Sequence, residues 1–395
     1  MLRGLGVFGR FVLLLVLARI STPEDLGRYG LVTATVSFTV FLVGFQYINF
    51  TMREGVRDPS SWAGLLREQS WVQSRAYLLA VVPLGIAVAS GILSIDLALW
   101  SALLVVTDHL SLEAQRLLAA RSRPIQAHVV FLLRTGAWAY AWSAWALLGS
   151  PPFWTLWVAW SIGGASAALY GAWHERDLIR AALREEIDHV RKWAGVRVGT
   201  TYLLDALAGR AILTVDRYLL AFFTSDAEVG IYTFHASAAA SVLLMVDAVV
   251  VVTDLPAVIG AHSAHPDQRR IVERAFRRRL FWVGLGMTSI LVALAPLAYQ
   301  LVDPLYGANW VIGALLLLAQ FIEVIGLGLH YRLYAAHRDR SILSISTIGL
   351  VAAVAGHLVL IPRFGAIGAA VATGATFLVT NLARGVWIRA SRGDI

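Results

Sequence analysis

The chain has 395 residues, 58% of them hydrophobic and only 15% charged, with a mean hydropathy of +0.68. A soluble domain averages roughly 45–50% apolar and about 25% charged residues, so this composition belongs to an integral membrane protein. The net charge of +8 would suit nucleic acid, but the basic residues sit in short loops between apolar runs, which argues against that partner. The absence of cysteine excludes disulfides, thiolate nucleophiles and Cys-ligated metals.

A bilayer core takes about 20 apolar residues per helix. In chain order, such runs lie at 3–20, 29–50, 76–95, 97–118, 125–149, 153–173, 198–223, 229–259, 280–302, 309–330, 341–361 and 366–388. The expected fold is all-α and membrane-integral, with about twelve transmembrane helices in two pseudo-symmetric six-helix lobes. The lobes would span 1–173 and 197–395, joined by a cytoplasmic amphipathic linker at 174–196.

The first run opens with Gly4-Leu5-Gly6-Val7-Phe8-Gly9, which fits the dinucleotide-binding pattern letter by letter. No strand precedes it, so it is not that motif. The run lacks a small-residue cleavage site and is expected to remain as the first helix. After it comes Pro23-Glu24-Asp25-Leu26-Gly27-Arg28-Tyr29, echoed at an offset of 203 by Asp226-Ala227-Glu228-Val229-Gly230-Ile231-Tyr232. Gly9-Arg10 is echoed by Gly209-Arg210, and Arg116-Leu117-Leu118-Ala119-Ala120 by Arg332-Leu333-Tyr334-Ala335-Ala336. Three matches in order mark a duplication, the build of transporters whose halves rock about a shared central site.

Loops after the even-numbered spans hold most of the arginines, whereas the opposite side holds Arg19, Arg28 and Arg363. The positive-inside rule then puts both termini in the cytoplasm, on an inner-membrane protein. In the linker, Ile179, Leu183, Ile187 and Val190 keep helical spacing, either on the inner membrane face or on a solvated helix. The basic stretch Arg269 to Arg279 either attracts anionic headgroups or only fixes topology. Pro83, Pro256 and Pro296 interrupt spans and kink them.

Charges at membrane depth carry the functional reading. Each costs about 2.5–3.5 kcal/mol at the bilayer centre, so it faces an interior chamber or a partner. Arg10, Arg134 and Arg210 are the expected substrate contacts, because guanidinium holds phosphate bidentately and stays charged. The competing reading pairs each with a carboxylate for packing. Asp108, Asp205 and Asp247 are the candidates for coupling to Na⁺ or H⁺, with His109, His330 and His357 as further titrating groups. Asp216, Arg217, Asp254 and Glu323 also fall inside spans. Trp138, Trp142, Trp145, Trp154, Trp157 and Trp160 either form interfacial belts or wall the chamber and stack on sugar. His262 and His265 share a loop with no other ligand set, so no metal site and no cofactor are expected.

Asp216-Arg217-Tyr218-Leu219-Leu220-Ala221-Phe222-Phe223, followed by Glu228-Val229-Gly230-Ile231-Tyr232, resembles polysaccharide flippases. These are the O-antigen and lipid-linked oligosaccharide exporters of the multidrug/oligosaccharidyl-lipid/polysaccharide superfamily. Leu17-Ala18-Arg19-Ile20 with Glu24 to Tyr29 resembles the family's opening, and Leu360-Ile361-Pro362-Arg363-Phe364-Gly365-Ala366-Ile367-Gly368 the start of its last span. The resemblance implies a non-enzymatic transporter, and a monomer is expected. It would turn a polyprenyl-(pyro)phosphate-linked glycan from the inner to the outer leaflet by alternating access, with the Na⁺ or H⁺ coupling expected from the membrane-depth acids. The alternatives are a drug/cation exporter of the same superfamily and a membrane-embedded glycan polymerase or ligase. The last needs a large outer loop, and every outer loop expected here is short.

Overall fold

Apolar runs cut by short polar turns fold into helix after helix, because lipid leaves backbone amides no partner but the helix itself. The computed structural model describes residues 2–149, 151–262 and 266–390, and no strand occurs among them. Among the described residues, seven helices are long and apolar enough to cross a membrane, which makes this a multi-pass membrane protein. His265 and the side chain of His262 lie outside the described residues.

The chain forms two compact units, one of Met1–Ile20 with Arg28–Arg210, the other of Ser21–Gly27 with Ala211–Ile395. The first contains α1 (Leu2–Ile20), most of α2 (Pro23–Gly44), α3 (Ile48–Arg57), α4 (Trp62–Ala76), α5 (Val81–Ala89) and α6 (Ile95–Ala120). It continues with α7 (Pro124–Leu132), a π-turn at Leu133–Ala137, α8 (Trp138–Gly149), α9 (Thr155–His174), α10 (Arg176–Arg184) and α11 (His189–Ile212) up to Arg210. α9 presses a small-residue face onto its neighbours. A Cβ on Gly164 would meet Thr107 of α6 at 2.9 Å, and one on Gly171 would meet Ala114 at 2.5 Å.

The linker is not one amphipathic helix, contrary to the periodicity. α10 ends at Arg184 and the backbone is extended at Glu185 before α11 begins. Leu183 and Val190 are exposed. What anchors this stretch is a fully buried carboxylate. Glu68 of α4 accepts from Arg191 Nε at 3.0 Å and from Nη2 at 2.8 Å.

The second unit holds α12 (Val215–Phe223), α13 (Asp226–Val246), a π-turn at Asp247–Val251, α14 (Val252–His262), α15 (Pro266–Leu301), α16 (Pro304–Ala308), α17 (Trp310–Ala335) and α18 (Asp339–Ala390). At 36 residues, α15 is about 54 Å long against a hydrocarbon core of about 30 Å, so its basic first turns outrun the lipid. The last two expected spans are the arms of α18, which bends at Gly365, where φ is +54°. Glu228 of α13 accepts the freed Ala366 N–H at 2.9 Å and fills the space a side chain on Gly365 would need.

This unit also shows what the duplicated motif is for. Thr22 Oγ1 accepts from the Asp25 amide at 3.3 Å, and Ser225 Oγ from the Glu228 amide at 3.3 Å, the same N-cap in each copy. The two copies touch reciprocally at their glycines. A Cβ on Gly27 would run into the Asp226 carbonyl and lie 3.2 Å from Gly230 N. A Cβ on Gly230 would run into the Pro23 carbonyl and lie 3.0 Å from Gly27 N.

Candidate functional site

The glycines at the start of the chain form a packing face. A Cβ on Gly9 would sit 2.9 Å from Gly136 Cα, and one on Gly136 2.7 Å from Gly6 Cα, so only bare backbone lets α1 approach the π-turn this closely. The Tyr140 hydroxyl donates to the Leu5 carbonyl at 2.9 Å across the same seam. A π-turn shifts helical register by one residue, a device frequent at functional sites. Here the Trp138 indole donates to the Arg134 carbonyl at 2.8 Å, which holds the ring that Arg10 covers.

Arg10 lies against two tryptophans, its guanidinium carbon 4.7 Å from the Trp138 ring centre and 4.5 Å from that of Trp160. Those rings stack on each other at 5.6 Å and 6°. Arg10 Nη1 donates to the Tyr29 hydroxyl at 3.1 Å, and Tyr29 stacks on Trp157. Trp160 Nε1 donates to Asp108 Oδ1 at 3.4 Å. Arg134 Nη2 donates to Gln115 Oε1 at 3.3 Å, while its buried Nε has no partner. The charges of Asp108, Arg10 and Arg116 all act on it.

Arg210, expected to face the others from the second lobe, instead closes the first unit. α11 starts well before the expected span, so Arg210 lies on the first unit's last helix. Its Nη1 donates to Ser37 Oγ at 3.5 Å, and it covers the Phe41 ring at 4.3 Å. Arg116, which the sequence reading passed over as a site residue, shares that ring at 5.7 Å and acts on both Arg134 and Arg210. Its position at the inner end of a span made it look like a topology charge.

The first unit thus gathers Arg10, Arg116, Arg134 and Arg210. The nearby carboxylates are Asp108 and Glu113, and Asp205 sits one turn before Arg210 on α11. Even with all three carboxylates counted, the group is cationic. Buried charge of one sign is costly unless something answers it. Stacked aromatic faces lower that cost without neutralising it. Such a group can hold an anion of two or more oxygens.

Of the expected coupling carboxylates, Asp108 lies within this group and Asp205 on α11, whereas Asp247 belongs to the second unit, on its π-turn, where it acts on Tyr331. Trp138, Trp142, Trp157 and Trp160 are buried and pack the interior rather than an interfacial belt, while Trp145 and Trp154 are exposed. In the second unit, Asp254 pairs with Arg279, and Glu323 accepts from Arg384 at 3.0 and 3.1 Å. A further buried chain there was not read from the sequence. The Tyr232 hydroxyl donates to Asp216 at 2.7 Å and meets Thr373 at 3.2 Å, and Thr373 meets His357 Nε2 at 3.4 Å.

No family model matches the sequence, and no curated relative does. Solved structures match over nearly its whole length. The inward-facing conformation of a multidrug resistance MATE family transporter of the MOP superfamily matches at TM-score 0.74 and 12% identity, over 98% of this chain and 93% of that one. Lipid II flippase MurJ, in an inward closed conformation, matches at 0.73 and 12% identity, over 98% of this chain and 86% of that one. The MATE transporter VcmN of Vibrio cholerae matches at 0.67 and 12% identity, over 99% and 95%. At these identities the likeness establishes the fold, which this chain shares with MATE transporters and MurJ.

Proposed function

We propose that this protein is a flippase for an anionic glycolipid, a polyprenyl-(pyro)phosphate-linked oligosaccharide, working by alternating access in the inner membrane with both termini cytoplasmic. The observation that carries the reading is the cationic group Arg10, Arg116, Arg134 and Arg210, which exceeds its neighbouring carboxylates. A drug/cation exporter would need the opposite balance, lone acids among aromatics. The fold is compatible with both cargo classes, since its structural neighbours include a multidrug transporter and a lipid II flippase. The excess of arginine supports the anionic cargo.

In this reading the guanidinium groups hold the phosphates, and the Trp138–Trp160 stack keeps Arg10 extended toward them. Asp108, Asp205 and Asp247 remain the proposed coupling carboxylates, exchanging Na⁺ or H⁺ with the gradient. The chemistry calls for no bond making, so no catalytic residue is assigned. The test is complementation of a strain lacking its own glycolipid flippase. Wild type is expected to restore surface glycan, and R10A and R210A to insert normally yet fail. Full export by both variants, or restored drug resistance without glycan export, would sink the proposal.

A further inference from the structure

Arg116 serves two groups at once. On one side it belongs to the arginine cluster. On the other, its Nη1 lies 3.5 Å from Glu113 Oε1, one turn earlier on α6. The opposite carboxylate oxygen, Oε2, accepts from Gln69 Nε2 at 2.5 Å and from Gln73 Nε2 at 3.1 Å. Gln73 also donates to the Gly44 carbonyl at 3.1 Å. These amides are neutral, so among the described residues Arg116 is the group that gives Glu113 a counter-charge.

Beside the carboxylate is a ring nitrogen that makes no hydrogen bond among the described residues. His109, four residues earlier on α6, is 1% exposed, and its Nδ1 meets the Tyr77 hydroxyl at 2.8 Å. Its Nε2 has no partner, and neither has Gln69 Oε1. A Cβ on Gly44 would lie 3.5 Å from His109 Nε2 and 3.7 Å from Glu113 Oε1. The free imidazole nitrogen and the carboxylate oxygen facing Arg116 therefore converge on one spot beside α2. The titratable or charged groups facing Glu113 are Arg116 and His109 on its own helix and Tyr77 beyond α4. Among the described residues, no charge on α3, α5, α7 or α9, which also pack on α6, is a cause of a shift at this carboxylate.

We propose that Arg116 links anion binding to protonation of Glu113. An anion seated among the arginines draws Arg116 toward itself. Glu113 then loses its counter-charge in a poorly solvated site, where an unpaired carboxylate is costly. It takes one proton from a solvent hydronium at Oε1, the oxygen Arg116 has vacated, and the new O–H donates to His109 Nε2 in the tautomer whose Nδ1–H is given to Tyr77. One O–H bond forms at Glu113, one breaks in the hydronium donor, and nothing is oxidised or reduced. The gained positive charge offsets part of the anion's charge inside an apolar unit. By linkage, anion and proton each tighten the other's binding.

The inference rests on the arginine group being an anion site, and one experiment separates the two claims. Sulfate is the probe, because it does not titrate in the neutral range. It is added by calorimetry to the purified full-length protein in detergent, in two buffers of different ionisation heat near neutral pH. Wild type is expected to bind sulfate with uptake approaching about one proton per site, and to bind up to about tenfold more tightly per pH unit of acidification. E113Q is expected to bind sulfate more tightly, since Arg116 is released, with that uptake gone, and H109Q to take up a smaller fraction. Sulfate binding with the same proton number in wild type and E113Q overturns the linkage and leaves the anion site standing. Pure wild-type binding that is independent of pH does the same without relying on any variant. No sulfate binding at millimolar concentration overturns both.

Discussion

The two units treat charge at membrane depth in opposite ways. In the second, Glu323 is paired with Arg384 and Asp254 with Arg279. In the first, four arginines crowd one another and stack on aromatic rings. A charge that only builds structure arrives already compensated, because an uncompensated one would unfold its surroundings. A group kept in excess of its partners is held for something that binds. The proposed anion site rests on that contrast and not on residue type, since both units contain arginines inside spans.

The largest expected effect tests the excess itself. R134A should weaken sulfate binding by about 10–100-fold, the worth of one to two charge-assisted hydrogen bonds. Its unfolding temperature in detergent should hold or rise, because a mutual repulsion is relieved. A drop in stability with unchanged affinity would put Arg134 among the structural charges. The mirror experiment is R384A in the second unit. It strands Glu323, whose side chain is 12% exposed, and should cost about 3–5 kcal/mol in thermal unfolding. Replacing both partners by leucine should recover most of that loss, and sulfate binding per folded molecule should not change.

How much of this was readable beforehand follows from the same contrast. That the chain is an all-helical, multi-pass membrane protein was legible because apolar runs of membrane length have few other meanings. The π-turn at Leu133–Ala137 was not, since no residue pattern marks a one-residue register shift, and it is what turns Arg134 and Trp138 toward Arg10. Arg10 and Arg134 could be nominated from depth alone. Arg116 could not, because a basic residue at the inner end of a span reads as a topology signal. Arg210 was placed by analogy between the copies, and the early start of α11 broke that analogy. The tryptophans were ambiguous because burial, which separates Trp160 from Trp154, is a tertiary property.

A smaller effect is expected at the glycines of the repeated motif. Alanine at Gly27 or at Gly230 places a methyl group against the carbonyl of the other copy. Overpacking of this kind costs about 1–3 kcal/mol. Because the contact is reciprocal, the two single substitutions should cost similar amounts by thermal unfolding. A large loss at one with none at the other would show that the copies do not meet as a symmetric pair. Neither variant should alter the stoichiometry of sulfate bound per folded chain.

The smallest effect concerns a charge that neither unit buries. Asp188 is solvent-exposed, and its carboxylate accepts from the Arg191 and Val190 amides at 3.1 and 2.9 Å, capping α11, the helix that carries Arg210. Those backbone bonds, the Arg191 amide first, hold its pKa below the ordinary 3.8. A carboxyl group whose folded value lies below its unfolded one stabilises above the unfolded value and loses that contribution as pH falls through the folded one. Amide exchange at Val190 and Arg191 should therefore stay slow from neutral pH down to about pH 4 and quicken below it, apart from the intrinsic pH trend. D188A should remove the step and fray only the first turn, because Arg210 lies about 33 Å further along the helix. If D188A also weakened sulfate binding, the capping turn and the arginine group would be one cooperative element, and the excess charge would depend on how α11 starts.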